Sequence, residues 1–477
     1  MIEYNLDIDL TQPILINTFG FNIPCREFII SAQITKDRRM PVVDEFVLRI
    51  LNTIEQISIS RLARFFGFDG HDLGVVLNDL RARSLVTITG DNVELHQSAR
   101  ELFRTSTDST PTLTVVDEFH AKVWFDLISQ SMIASRGLHS ARNLITLTPI
   151  PARMDIEANF AREAFDANFK DYLRKFRKIK NPEQWSLYSI LDVQPGRFSH
   201  AQIAGSEYLT LTSTPKLETT LTTIEGDRPG KLRQLTDAMS YELRKLDRPA
   251  ATVAARKEYS RLVSIDSLEK ATSQDGYLDL HKWLDIESGL CDSQNRPFIG
   301  YPYLDHNRKA LLELISNSDI PKANETQEPS FFWLRPGGSS WGATEDLNYL
   351  LGDLRALVRR WSGSTQSLST SLLLPASLKT KSAKAFNRIF DNGLYINPGR
   401  QTNSVEILAM KDFFAMVTVM APLSDSVSIP VGRMTTSKPL IDQIIKRSHL
   451  EKLQNEESTT AWTREPRKRD NYKENST

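Results

Sequence analysis

Residues 58–96 read SISRLARFFGFDGHDLGVVLNDLRARSLVTITGDNVELH, and their apolar period switches from helical to alternating along the way. Ser58 or Ser60 stands where a helix N-cap belongs, because a short side-chain oxygen can accept an otherwise unpaired N–H of the first turn. A short helix over SISRLARFFGF (58–68) follows from that cap. Asp69 offers a second cap, and Leu73, Val76, Leu77 and Leu80 share one face of the next helix. Gly90-Asp91 then separates two short alternating runs, which is a hairpin signal. Upstream, VVDEFVLRILNTIE (42–55) places Val43, Phe46, Val47, Ile50 and Ile54 at helical spacing.

Helix, helix, helix, hairpin in this order resembles a winged helix, the winged form of helix-turn-helix, over residues 41–104. The resemblance implies that the third helix presents polar and basic groups to a DNA groove, here Asn78, Arg81 and Arg83. Charge argues less strongly for DNA. Residues 41–104 hold seven arginines against nine carboxylates, a balance that equally suits docking to another protein.

The whole chain has 477 residues, 40% of them hydrophobic and 25% charged, which suits a folded protein of roughly three or four domains. Its 59 basic and 59 acidic residues cancel, so any nucleic-acid contact must come from a local patch. Two cysteines, Cys25 and Cys291, are too few for a disulfide scaffold or a cysteine-rich zinc site. The acidic start MIEYNLDIDL is unlike a signal peptide, and no apolar run has membrane-spanning length. A soluble, cytoplasmic protein is expected.

The expected fold class is α/β in the mixed, α+β sense, and multidomain. Residues 1–35 alternate in places and predict short strands; 36–106 form the winged helix. Residues 107–215 predict an α+β unit, 216–325 a mainly helical region with a polar linker near 316–330, and 326–448 a C-terminal α/β unit. In that last unit TSLLLP, VEILAM and FFAMVTVMAP are apolar without interruption, which predicts a sheet covered on both faces. Residues 449–477 are polar and predict a disordered tail.

NFKDYLRKFRKIK, residues 168–180, carries six positive charges. A helix from about Ile156 to Lys180 would align Phe165, Phe169, Tyr172 or Leu173, and Phe176 on an apolar face. Lys170, Arg174, Arg177 and Lys178 fall at the same steps on another face, with Lys175 broadening it. A row of cations is what phosphate binding needs, since each neutralised phosphate releases counterions. The competing reading is a core-packed helix with a solvated basic side.

FHAKVWFD, residues 119–126, resembles the His-x-Lys-x4-Asp signature of phospholipase D-like enzymes, in which the histidine is the nucleophile and the lysine clamps phosphate. His120 and Lys122 fit; Asp126 follows after three residues instead of four, and no second copy exists. The segment alternatively reads as a helix with Phe119, Val123 and Leu127 inward. TSLLLP (370–375), the strands within 404–422 and SIPVGRMTT (428–436) resemble the sheet-forming half of the same family without its catalytic triplet. GDRPGKL is too short for a phosphate-cradling loop, GGSSWG lacks the central serine of a nucleophile elbow, and the histidines show no metal-ligand spacing. Trp333 and Trp341 could stack a base, but read more simply as core residues beside a glycine hinge.

The expectation is a nucleic-acid-binding accessory protein without catalysis, cofactor or metal, its partners being DNA or RNA and a separately encoded helicase, nuclease or ATPase. The combination is similar to subunits of prokaryotic antiphage defence systems, where winged helices and degenerate nuclease folds recur. A divergent phosphodiesterase using His120 and Lys122, and a protein-docking scaffold, are the alternatives.

Overall fold

A computed structural model describes residues 9–104, 112–134, 138–151, 157–212, 214–221, 229–318, 329–363, 367–375, 378, 380–396, 405–455 and 458–464. The fold is mixed α+β and multidomain. β1 (Ile14–Arg39) is one continuous strand of 26 residues, not several short ones. Sequence pattern hid this because the strand buries its odd-numbered face first and its even-numbered face later. Phe19, Phe21, Ile23 and Cys25 are buried, then Phe28, Ile30, Ala32 and Ile34. Successive side chains of a strand point to opposite faces, so the covered side of the sheet changes halfway along.

Beyond β1 the chain builds a separate unit from α1 (Val42–Thr53), β2 (Gln56–Ser58), α2 (Ile59–Phe66), α3 (Gly70–Ala82), β3 (Val86–Thr89), β4 (Asn92–Leu95) and α4 (Gln97–Arg104). Its strands form a sheet in the order β2-β4-β3. The caps work as the sequence suggests: Ser58 accepts the Arg61 N–H at 3.4 Å and Asp69 accepts the Asp72 N–H at 2.7 Å. Leu48, Leu51, Leu62, Leu73, Leu77 and Leu80 belong to a core of its own. α1 is rotated from the expected face: Val47, Leu48 and Leu51 are inside, while Phe46 and Ile54 are exposed.

The chain then returns as β5 (Thr112–Asp126), antiparallel to β1 from Arg39↔Thr112 to Cys25↔Asp126. The helical unit is therefore an insertion at the far end of a two-strand ribbon. β5 also corrects the helical reading of 119–127, since Phe119, Ala121, Val123 and Phe125 are buried at the strand period of two. β6 (Met132–Ile133) and β7 (Ile145–Thr146) follow, then α5 (Ala158–Ala167) and α6 (Phe169–Lys175), then β8 (Trp185–Thr210) and β9 (Lys216–Leu221). The strands lie in the order β6-β5-β1-β8-β9, with β7 beside β1.

α7 (Pro229–Leu243) covers the near half of this sheet with Leu235 and Met239. α8 (Val253–Val263), α9 (Ser267–Ala271), α10 (Leu280–Ser288), β10 (Asn295–Ile299) and α11 (Asp305–Ser316) come next. The remaining elements are β11 (Ser330–Leu334), α12 (Asp346–Trp361), β12 (Ser369–Pro375), α13 (Thr380–Ala383), β13 (Asn392–Ile396), β14 (Val405–Met410), β15 (Phe414–Pro422), β16 (Ser428–Thr435), α14 (Lys438–Ser448), α15 (Leu450–Asn455) and β17 (Ser458–Thr463). An eight-stranded sheet results, ordered β10-β16-β15-β14-β11-β12-β13-β17.

Both faces of that sheet are covered. Ile407, Ala409, Val417 and Val419 join a core with α8, α9, α10 and α14, and Leu408, Met410, Met416 and Met434 join one with α11 and α12. The helices α8 to α11 thus pack on the C-terminal sheet and α7 on the first, instead of forming a region of their own. The expected linker falls largely on residues 319–328, outside those described. The tail is corrected too: β17 pairs with β13, and the Trp462 ring lies where a side chain on Gly393 would be. Its polar composition concealed Leu450, Leu453 and Trp462, which seat residues 450–455 and 458–464 against an open sheet edge. Residues 465–477 lie outside the described residues, as does the start of the chain before Asp9. Among the described residues no helix is long and apolar enough to cross a membrane.

The two sheets meet through backbone. Tyr301 donates its N–H to the Ile16 carbonyl at 3.1 Å and Gly20 donates to the Ala343 carbonyl at 2.7 Å. The Tyr303 hydroxyl donates to Asn17 Oδ1 at 3.0 Å, and Arg248 pairs with buried Glu207. Gly300, with φ +87°, is required here: a Cβ would come within 3.1 Å of the Ile16 Cα and the Leu15 carbonyl oxygen.

Beside this junction lies Glu406, fully buried, whose Oε1 accepts the indole N–H of Trp333 at 2.8 Å and of Trp341 at 2.7 Å. Both tryptophans are core residues, not base-stacking surfaces. Burial pushes the Glu406 carboxyl up to about 7, against the two indole bonds and the Arg335 charge that pull it down. A raised acid stabilises the fold in its protonated form, fully so below the ordinary value of 4.5, and that contribution is lost as pH rises through 7. Thermal melts of the wild type and Glu406→Gln should therefore diverge between pH 5 and 8, the wild type losing more; parallel curves would refute the assignment. Separately, a fragment spanning residues 36–106 should unfold cooperatively on its own core, as seen by circular dichroism during heating.

Candidate nucleic-acid interface

On β5 the strand period that buries Phe119, Ala121 and Val123 sends His120 and Lys122 to the exposed face. Ser31 stands opposite His120 in the ladder and Ile29 opposite Lys122. Ser31 Oγ lies 3.2 Å from His120 Nδ1, a contact that orients the ring. Asp126 does not join them. It is buried, and its carboxylate accepts the N–H groups of Ile128 at 3.0 Å and Ser131 at 2.9 Å and the Ser129 hydroxyl at 2.7 Å. That carboxylate closes the turn into β6.

The basic segment is not one long helix. Asn168 interrupts it with φ −119° and ψ 18°, donating its side-chain amide to the Ala164 carbonyl at 2.7 Å. α6 ends at Lys175, so Arg177 and Lys178 lie beyond the helix, and Lys178 adopts a left-handed φ of 55°. Ile156 falls outside the described residues. The apolar side matches expectation: Phe165, Phe169, Tyr172 and Leu173 are buried around Phe119.

The cations divide into two sets. The Lys170 ammonium donates to the carbonyls of Pro182, Glu183 and Trp185, at 3.1, 3.1 and 2.5 Å. Arg174 bridges Asp171 at 2.9 Å and Glu183 at 3.2 Å. These two hold the segment to the loop before β8. Arg177 instead turns to the edge of β5, donating to the His120 carbonyl at 2.9 Å with its guanidinium 5.3 Å from the Phe119 ring centre. Lys175 and Lys178 are exposed beside it.

Arg177, His120 and Lys122 thereby share one notch of about 350 Å³, whose walls include Ile133, Tyr172 and Phe176. The sequence had assigned these residues to two different hypotheses, and only the strand return brings them together. Ser31 and Ile133 were missed altogether; their signal was the alternation of β1 and β5, masked by reading 119–127 as a helix. On the inserted unit, Asn78 and Arg81 are exposed on α3, but Arg83 is tied to Asp44 at 3.0 Å and Asp79 at 3.2 Å. A larger cavity of about 560 Å³ lies between residues 9–15 and β10, where its arginine, Arg296, is already paired with Glu313 at 3.2 Å. Among the described residues no group of three or more His, Cys, Asp or Glu side chains is placed to hold a metal ion.

No protein-family model matches the chain, and no curated protein matches it.

The division of the cations has a measurable consequence. Lys170→Met should destabilise the protein by about 1–3 kcal/mol, because three carbonyls lose a charged donor. Lys178→Gln should leave the melting temperature unchanged. Equal melting temperatures for both variants would show that Lys170 is merely solvated.

Proposed function

We propose that this chain is a non-catalytic nucleic-acid-binding accessory protein that acts with a separately encoded helicase, nuclease or ATPase. The observation that carries the reading is the convergence of His120, Lys122 and Arg177 on one notch, with Lys175 and Lys178 exposed alongside. Phosphate contacts supply sequence-independent affinity, and a cluster of cations at a sheet edge suits that task. Residues 42–104 are read as a winged helix on the strength of their element order and the β2-β4-β3 sheet. The acidic Asp72 and Asp79 beside Asn78 and Arg81 make this unit a weaker phosphate binder than the notch. The eight-stranded sheet is read as a degenerate phospholipase D-like scaffold, and the whole as a cytoplasmic component of a prokaryotic system such as antiphage defence.

One observation favours a second reading. His120 and Lys122 project from the same face of one strand, as a phosphodiesterase would need. Against it, Asp126 is committed to the turn. DNA cleavage by the purified protein that disappears in His120→Ala would establish the enzyme and displace the accessory role.

The binding reading is tested by Lys122→Gln, Lys175→Gln and Lys178→Gln combined. Removing up to three phosphate contacts should make the slope of log affinity against log salt shallower by about 2 to 3 on duplex DNA. The loss should be the same for unrelated DNA sequences, since phosphates carry no sequence information. An unchanged slope in a variant with wild-type melting temperature would leave these lysines as a solvated face.

A further inference from the structure

The notch is only half polar. Lys122 and Arg177 provide its charge and His120 a ring edge, while Ile29, Ile133 and Phe176 provide apolar surface. Ile29 is 37% exposed and forms part of the notch wall. A site built for phosphate alone has no use for that surface. The volume of about 350 Å³ sits at the lower end of small-ligand pockets, which span roughly 300–1,000 Å³, so it admits one nucleotide-sized group.

A duplex cannot use such a site. Its bases are stacked inside and its phosphates line the outside, so only a base taken out of the stack can reach an apolar wall. Single strands present unstacked bases, and proteins that bind them combine cations along the backbone with aromatic faces for the bases. From this charge and shape complementarity we infer that the β5 notch takes one unstacked nucleotide of a single-stranded nucleic acid. The phosphate lies toward Lys122 and Arg177, and the base lies against Phe176, Ile29 and Ile133. Arg177 is suited to the phosphate side because its bonds to the His120 carbonyl and to the Tyr172 side chain fix the guanidinium at the strand edge, and a guanidinium carries five donors in all. Ser31 positions the His120 ring beside it.

This inference rests on the nucleic-acid-binding reading above, and the two are separable. Full-length protein is titrated by fluorescence anisotropy with a short mixed-sequence oligodeoxynucleotide and with the blunt duplex of the same sequence, at one fixed salt concentration. The single strand should bind about 5- to 150-fold more tightly, the worth of one stacked base. Ile29→Asn and Phe176→Ala should each remove that preference. Ile29→Asn is neutral and at a partly exposed position, so it should keep the wild-type melting temperature and salt slope, which guards against misfolding of the Phe176 variant. Equal or tighter duplex binding by the wild type overturns the inference while leaving nucleic-acid binding intact. So does a full preference retained by folded Ile29→Asn. Binding to neither ligand overturns both readings.

Discussion

Every other part of the molecule is arranged around the pairing of β1. It is the central strand of its sheet, with β5 along one side and β8 along the other. From Cys25 to Lys36 it is paired on both flanks, so its position there is determined from both sides. Its first residues also reach the second sheet, where Ile16 and Gly20 exchange backbone bonds with Tyr301 and Ala343. Its last residue, Arg39, is opposed by Thr112, and that closure presents residues 42–104 as an insertion at the ribbon's end. One strand therefore ties together two sheets that share buried residues at Ile16 and Leu209, and an inserted unit with a core of its own.

The change of covered face along β1 explains where a binding site can exist. Near the junction the odd-numbered side chains are buried beneath α7. Farther out the even-numbered ones are buried beneath α5 and α6, and the odd face opens to solvent with Ser31 and Ile29 on it. His120 and Lys122 on β5 share that open face because the register places them opposite. The exposed side is thus a by-product of where the helices pack, and the segment leaving α6 supplies Arg177 at its rim.

The junction uses a different chemistry. Glu406 is enclosed with two indole donors on one oxygen, near the buried Arg335. Removing a carboxylate from water favours its neutral form, and hydrogen bonds to the charged form work the other way. The raised carboxyl couples the packing around Glu406 to its protonation.

Local patterns in the sequence determined the inserted unit almost completely: its caps at Ser58 and Asp69, the α3 face and the turn at Gly90. These depend on neighbours a few residues apart, which periodicity can read. The uninterrupted apolar strands around 405–422 likewise determined a sheet with both faces covered. What the sequence alone did not determine was anything set by distant pairing. FHAKVWFD fits a helix or a strand until Arg39↔Thr112 and its continuation impose the strand period. Lys170 and Lys178 look equivalent until the loop before β8 claims one of them. The polar residues 458–463 look unable to order until β13 offers an edge. In each case the local free-energy difference between conformations is small, and hydrogen bonds or burial supplied from far along the chain decide it.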